Sequence, residues 1–251
     1  TDRGDASGTG WFDPWANAYR PELLAAAAPL LDAAVLPEVL DPTEAAGVLT
    51  AEAARALGLP ATVVVGPGTG DNMAGALGLG LRHGDSVLSL GTSGTAYAVS
   101  ASSTADPTGS VAGFADANGG FLPLVCTLNA TKVTDTFAAL LGVDYQGFAD
   151  LALAADTGSG GPTLLPYLDG ERTPNLPNAR GSLFGIETGV SRETIALAAH
   201  DGVLCGLLDG LDALSACGVP LDGRRFLVGG GARSAAYRQR YADLLQAEII
   251  V

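Results

Sequence analysis

"VVVGPGTGDNMAGALGLG" occupies residues 63–80, and the reading of this stretch decides the fold. Three branched apolar residues, Val63, Val64 and Val65, lead into Gly66, Pro67, Gly68, Thr69 and Gly70; Asp71 and Asn72 follow, then a run of small side chains. The pattern predicts a buried strand over "ATVVVG" and a short helix over residues 72–82, the strand–turn–helix unit of α/β proteins. Asp71 at the helix mouth can be an N-cap, accepting backbone N–H bonds where the helix dipole favours negative charge. That role does not explain three glycines in front of it. An aspartate held ionised at such a mouth can also accept the proton of an alcohol that attacks phosphorus, with Asn72 beside it to hydrogen-bond a hydroxyl. The residues alone leave capping and catalysis open.

Outward from this stretch, residues 1–20 read as a loop entering a short helix. Residues 21–59 hold two helical stretches, the second marked by Thr50 as N-cap, Glu52 in the first turn and Gly58 at the end. From residue 85 the character changes. "DSVLSLGTSGTAYAVS" is a hairpin signal around Gly91, Thr92, Ser93 and Gly94, and "GGFLPLVCTL" (119–128) a third strand. Helical periodicity over 130–142 puts Val133, Phe137 and Leu140 on one face. Residues 143–190 are mixed and loop-rich, a long helix fits 191–217, and "RRFLVGGGARS" is a strand running into a glycine turn. A helix over 235–247 and the opening of a strand at "EIIV" complete the order. The expectation is a mixed sheet with helices packed on it.

The 251 residues carry 27 acidic and 13 basic side chains, a formal charge of −14. Such a chain repels nucleic acid and anionic membranes. Lys132 is the only lysine, so phosphate handling falls to arginine, backbone amides, hydroxyls and metal. Cys126, Cys205 and Cys217 lack CxxC spacing and sit in apolar sequence, which predicts buried free thiols and a cytoplasmic protein. Residues 23–40 are interrupted by Pro29, Asp32, Pro37 and Glu38, so no membrane span or signal peptide is expected there. The start at Thr1 and the stop inside "AEIIV" lead us to expect a piece of a longer protein.

Three glycine turns follow apolar strands, at 66–70, 91–94 and 229–231. Glycine lets the backbone approach a ligand, and consecutive amides form anion-binding concavities. There is no GxxxxGK[ST] for a P-loop, "GGGARS" lacks the third glycine of GxGxxG, and Ser93 is not in a GxSxG elbow. His83 and His200, the two histidines, read as surface or packing residues.

In order along the chain, "TDRGDASGTGWFD", "VVVGPGTGDNMAGALGLG", "LSLGTSGTAYAVS", "LPYLDGERTPN" and "LVGGGARSAAYRQRYADLL" resemble the FGGY carbohydrate kinases, and within them the branch that acts on xylulose. The resemblance implies an α/β protein of the actin-like ATPase (ribonuclease H-like) fold. It divides the chain into residues 1–82, the remainder of a sugar-binding first domain, and 83–251, most of an ATP-binding second domain. It implies ATP-dependent conversion of D-xylulose to D-xylulose 5-phosphate with Mg2+, a sugar and ATP as the partners, and a homodimer left open. Asp71 would be the catalytic base and, with Asn72, a sugar contact. Gly91, Thr92, Ser93 and Gly94 would hold the ATP phosphates, and Gly229, Gly230, Gly231 and Ala232 the adenosine, the glycines making room for ligand. Asp5 is expected to serve loop structure, Glu171 and Arg172 to form an ion pair, and Trp11 and Trp15 to pack. No metal ligand is assigned: the family's D-x-G-T hairpin, with its metal-associated aspartate, has no counterpart in these residues, and the 251-residue chain alone is expected to be inactive. A kinase for ribulose, gluconate, fuculose or glycerol, or a non-catalytic nucleotide- or sugar-binding module, are the rival readings.

Overall fold

A computed structural model describes residues 1–158 and 160–251. Its contacts group into two units. One comprises Thr1–His83, Val99–Thr104 and Gly113–Pro123; the other comprises Gly84–Ala98, Ala105–Ala112 and Leu124–Val251.

In the first unit local capping chemistry fixes short elements. Asp2 accepts from the amides of Gly4 and Asp5 and starts α1 (Arg3–Ser7), where a loop was expected. β1 (Phe12–Asp13) and β2 (Ala18–Tyr19) form a small antiparallel pair, and α2 (Pro21–Ala27) opens with proline in its first turn. β3 (Gly47–Val48) precedes α3 (Ala51–Leu57), which Thr50 caps through the Ala53 amide and Gly58 ends at φ 66°, as the sequence predicts. Among the described residues β4 (Val64–Val65) pairs with β3 alone, antiparallel. The expected buried strand is therefore two residues long and open to solvent, Val64 being 63% exposed. Apolar, branched composition signals β structure but not a second layer to cover it. α4 (Asp71–Gly78) follows the glycine turn.

A five-stranded sheet runs in the order β11 (Arg225–Val228), β5 (Ser86–Leu90), β6 (Gly94–Ala98), β8 (Phe121–Thr127) and β7 (Ala112–Ala115), and its first three strands belong to the second unit. β5 (Ser86–Leu90) has Val87, Leu88 and Leu90 fully buried, the continuous apolar run of a strand covered on both faces. It runs antiparallel to β6 (Gly94–Ala98) and parallel to β11 (Arg225–Val228). β7 (Ala112–Ala115), which the sequence did not suggest, and β8 (Phe121–Thr127) extend the sheet. α5 (Thr131–Leu141) ends at Gly142 in the left-handed region, φ 66°, and α6 (Tyr145–Ala154) begins at once on its Asp144 cap. α6 falls inside the stretch expected to be loop-rich. On α5, Val133 is buried, but Leu140 is 72% exposed and does not share its face as expected.

β9 (Thr163–Leu165) and β10 (Ser182–Phe184) form an antiparallel pair. α7 (Arg192–Ala216) starts on a reciprocal Ser191–Thr194 capping box. Its buried Ala196, Ala199, Val203, Leu207 and Leu214 make it the core helix. By length and composition it is the one described helix that could cross a membrane; half of its most apolar window is buried within the fold. α8 (Ala235–Leu245) is capped by Ser234. At "EIIV" the Ile250 amide donates to Arg225 O, and Ile250 O accepts from Leu227 N, the parallel bridge of a strand beginning beside β11.

Candidate active site

In the first unit Gly70, not Asp71, is the N-cap of α4, with extended backbone and no side chain to contribute. Asp71 stands at the first helical position, exposed. Its Oδ1 accepts from the amide of Asn72 at 2.7 Å and from Asn72 Nδ2 at 3.0 Å. Oδ2 carries no hydrogen bond among the described residues. The carboxylate is thus held through Oδ1 by its neighbour at an exposed helix N-terminus.

The glycines before it have separate reasons. Gly68 sits at φ 83° with open space where a side chain would be, and Gly66 also faces open space. Gly70 does not clear room for a ligand. A Cβ there would lie 3.1 Å from Asp5 Oδ1 and 3.3 Å from Met73 Sδ. Asp5 belongs to α1 rather than to a loop, and its carboxylate lies against the residue that precedes Asp71. Thr69 Oγ1 is buried without a partner among the described residues.

In the second unit the hairpin Gly91–Gly94 joins β5 to β6. Gly91 N donates to Ser93 O at 3.0 Å. Two carbonyls of the turn are held from behind: Gly91 O accepts from Thr131 N at 3.0 Å, and Thr92 O from Ala130 N at 3.2 Å. The exposed hydroxyls and amides of Thr92 and Ser93 make no hydrogen bond among the described residues, which leaves four donors on a fixed turn. Gly94 is glycine because a Cβ would meet Leu207 at 2.9 Å and Thr127 Oγ1 at 3.0 Å.

The turn after β11 divides in the same way. Gly229, at φ 88°, would drive a Cβ to 2.6 Å from Leu90 O, and Gly231 would drive one to 2.7 Å from Leu90 Cβ and 2.9 Å from Thr131 Cγ2. These two glycines serve internal packing. Gly230 alone is exposed with nothing within 4 Å of a Cβ, and Ala232 is buried. Leu90 and Thr131 therefore bring both glycine turns of the second unit to the start of α5.

Residues 86–251 match the C-terminal domain of the FGGY family of carbohydrate kinases, and residues 1–78 match its N-terminal domain. The chain belongs to the FGGY family. Its similarity to the xylulose kinase of Streptomyces coelicolor is 49% identity over 239 residues, 95% of this chain and 47% of that one. The crystal structure of xylulose kinase from Bifidobacterium adolescentis superposes with a TM-score of 0.81 at 43% identity, covering 95% of this chain and 49% of the other. Gluconate kinase from Lactobacillus acidophilus gives a TM-score of 0.88 at 26% identity, over 98% of this chain and 51% of that one. This FGGY chain thus has the actin-like ATPase fold of those sugar kinases, and it spans about half the length of the curated relatives it matches.

Several expectations change. Glu171 and Arg172 form no ion pair among the described residues. Glu171 is 2% exposed and accepts from backbone and amide donors instead. Trp15 does not pack in a core; it is 70% exposed, stacked at 6.0 Å on Phe121. The cysteines form no disulfide among the described residues, but Cys205 is exposed and Cys126 and Cys217 only half-buried. His200 is a packing residue, stacked on Phe148 and edge-on to Tyr237, and burial pushes its pKa down to about 4. A cavity of about 470 Å3 along α7, lined by Tyr167, Asp201, Cys205, Asp209 and Arg240 among others, contains none of the candidate residues. Asn129, which donates to Glu171 Oε2 just ahead of α5, stands in no motif that the sequence analysis singled out.

Proposed function

We propose that this FGGY chain carries the base and the nucleotide turns of an ATP-dependent sugar kinase, with D-xylulose as acceptor. The observation that carries the reading is Asp71. Gly70 takes the N-cap position in its place, Asn72 holds its Oδ1, and it is exposed at a helix N-terminus with no hydrogen bond to Oδ2 among the described residues. In the reaction a sugar hydroxyl attacks the γ-phosphorus of ATP, a new O–P bond forms, the bond to the ADP oxygen breaks, and Asp71 takes the hydroxyl proton. Asn72 contacts the sugar. The amides and hydroxyls of Thr92 and Ser93, between Gly91 and Gly94, bind the phosphates, and the open face at Gly230, within Gly229–Ala232, receives the adenosine.

Residues 1–82 then belong to the sugar-handling domain and 83–251 to the nucleotide domain. Among the described residues no group of three or more His, Cys, Asp or Glu side chains forms a metal cage. Mg2+ bound by phosphates, waters and one or two carboxylates needs none, so it enters as part of the Mg-ATP substrate. The choice of D-xylulose rests on the 49% identical relative's name, and a cytoplasmic setting goes with it. A panel of D-xylulose, D-ribulose, D-gluconate, L-fuculose and glycerol, assayed with ATP in a protein containing these residues, tests the reading. Phosphorylation of D-xylulose ahead of the others is expected; preference for another acceptor reassigns the substrate.

A further inference from the structure

Glu171 is a buried carboxylate whose hydrogen bonds all go to donors around the start of α5 and its own loop. Its Oε1 accepts from Leu128 N at 2.5 Å and from Arg172 N at 2.7 Å, and its Oε2 accepts from Asn129 Nδ2 at 2.8 Å. Asn129, itself buried, also donates to Gly170 O at 2.8 Å and accepts from Leu168 N at 3.3 Å. One step further, Lys132 Nζ reaches Asp169 Oδ2 at 3.3 Å. The loop 168–172 is thereby fastened to residues 128–132. The next two amides in that segment, Ala130 N and Thr131 N, are those that hold the carbonyls of Thr92 and Gly91.

We propose that Glu171 is a positioning residue for the Gly91–Gly94 turn, acting through Leu128–Thr131 to hold the phosphate-facing donors in place. The proposal rests on the reading of that turn as a phosphate site. A charged acceptor buried among three N–H donors fixes their directions more firmly than a neutral one. Its effect passes along consecutive residues to two carbonyls of the turn. With those carbonyls pinned from behind, the amides and hydroxyls of Thr92 and Ser93 are presented without the ordering cost of a mobile loop. Glu171→Gln keeps the shape but turns an amide donor toward the Asn129 donor or loses an acceptor for a backbone amide.

Calorimetry of the 251-residue chain and its Glu171→Gln variant with adenosine, ADP and a non-hydrolysable ATP analogue, alongside amide hydrogen exchange, tests this. The variant should bind the ATP analogue about tenfold more weakly, the loss of roughly one buried hydrogen bond. Its affinity for adenosine, which reaches only the Gly229–Gly231 turn, should stay within about twofold. The amides of Leu128, Ala130, Thr131 and Arg172 should exchange faster while α7 is unchanged. Equal weakening of adenosine and ATP analogue, or no change in either, overturns the positioning role. An unaltered chain that prefers the ATP analogue no more than adenosine defeats the phosphate reading and this role with it; faster exchange in the variant would then show the brace alone. If Glu171→Gln does not fold, the unaltered chain decides: the ATP analogue, but not adenosine, should slow exchange at Leu128 and Arg172, and unchanged exchange there overturns the proposal.

Discussion

Gly230 and Gly231 are neighbours with opposite reasons for being glycine, and they allow a clean pair of substitutions. Gly230→Val adds carbons to open space, so it should leave stability within about 0.5 kcal/mol and remove nucleotide affinity. Gly231→Val collides with Leu90 and Thr131 and should cost about 1–3 kcal/mol of stability, as overpacking does. Urea denaturation and calorimetry of the two variants check this. Nucleotide binding that survives Gly230→Val would remove the adenosine assignment. The sequence identified this turn as glycine-rich but could not rank its members, because the contacts that constrain Gly229 and Gly231 come from Leu90, far away in the chain. Gly70 teaches the same lesson at the acidic turn. Its crowding by Asp5 is a tertiary fact that no local pattern around 63–80 contains.

At the scale of elements, legibility followed local chemistry. α3 was readable from its own start signal, Thr50, while α7 and α8 were readable as helical ranges and the structure adds their caps, Ser191 and Ser234. β5 and β6 were readable from their apolar runs about a glycine turn. α6 was missed because Asp144 caps it two residues after Gly142 stops α5, and the short gap merges two helices into apparent irregularity. β4 was overestimated because burial depends on partners that composition does not name.

α7 also supplies an element-scale prediction. His200 is buried against Phe148 and Tyr237 with its pKa pushed down to about 4 from 6.5. Burial opposes its charged form, so between pH 6.5 and about 4 the unfolded chain binds more protons than the folded one. Stability should therefore fall as pH is lowered through that window, by up to about 1.4 kcal/mol per pH unit. His200→Phe, which cannot titrate, should show a shallower loss over the same range in denaturant unfolding. Equal slopes for the two proteins would exclude His200 as the cause.

For the whole molecule, two matched FGGY domains and a chain about half the length of its relatives define what a functional experiment must supply. The most direct measurement uses a chimera in which these residues replace the matching segment of the Streptomyces coelicolor xylulose kinase, assayed for ATP-dependent phosphorylation with and without Asp71→Asn. The chimera should phosphorylate D-xylulose, and Asp71→Asn should lower turnover about 10²–10⁴-fold, the usual cost of removing a general base, while ATP-analogue binding is kept. Near-unchanged turnover in the Asp71→Asn chimera would contradict the account and return Asp71 to a structural role at the head of α4.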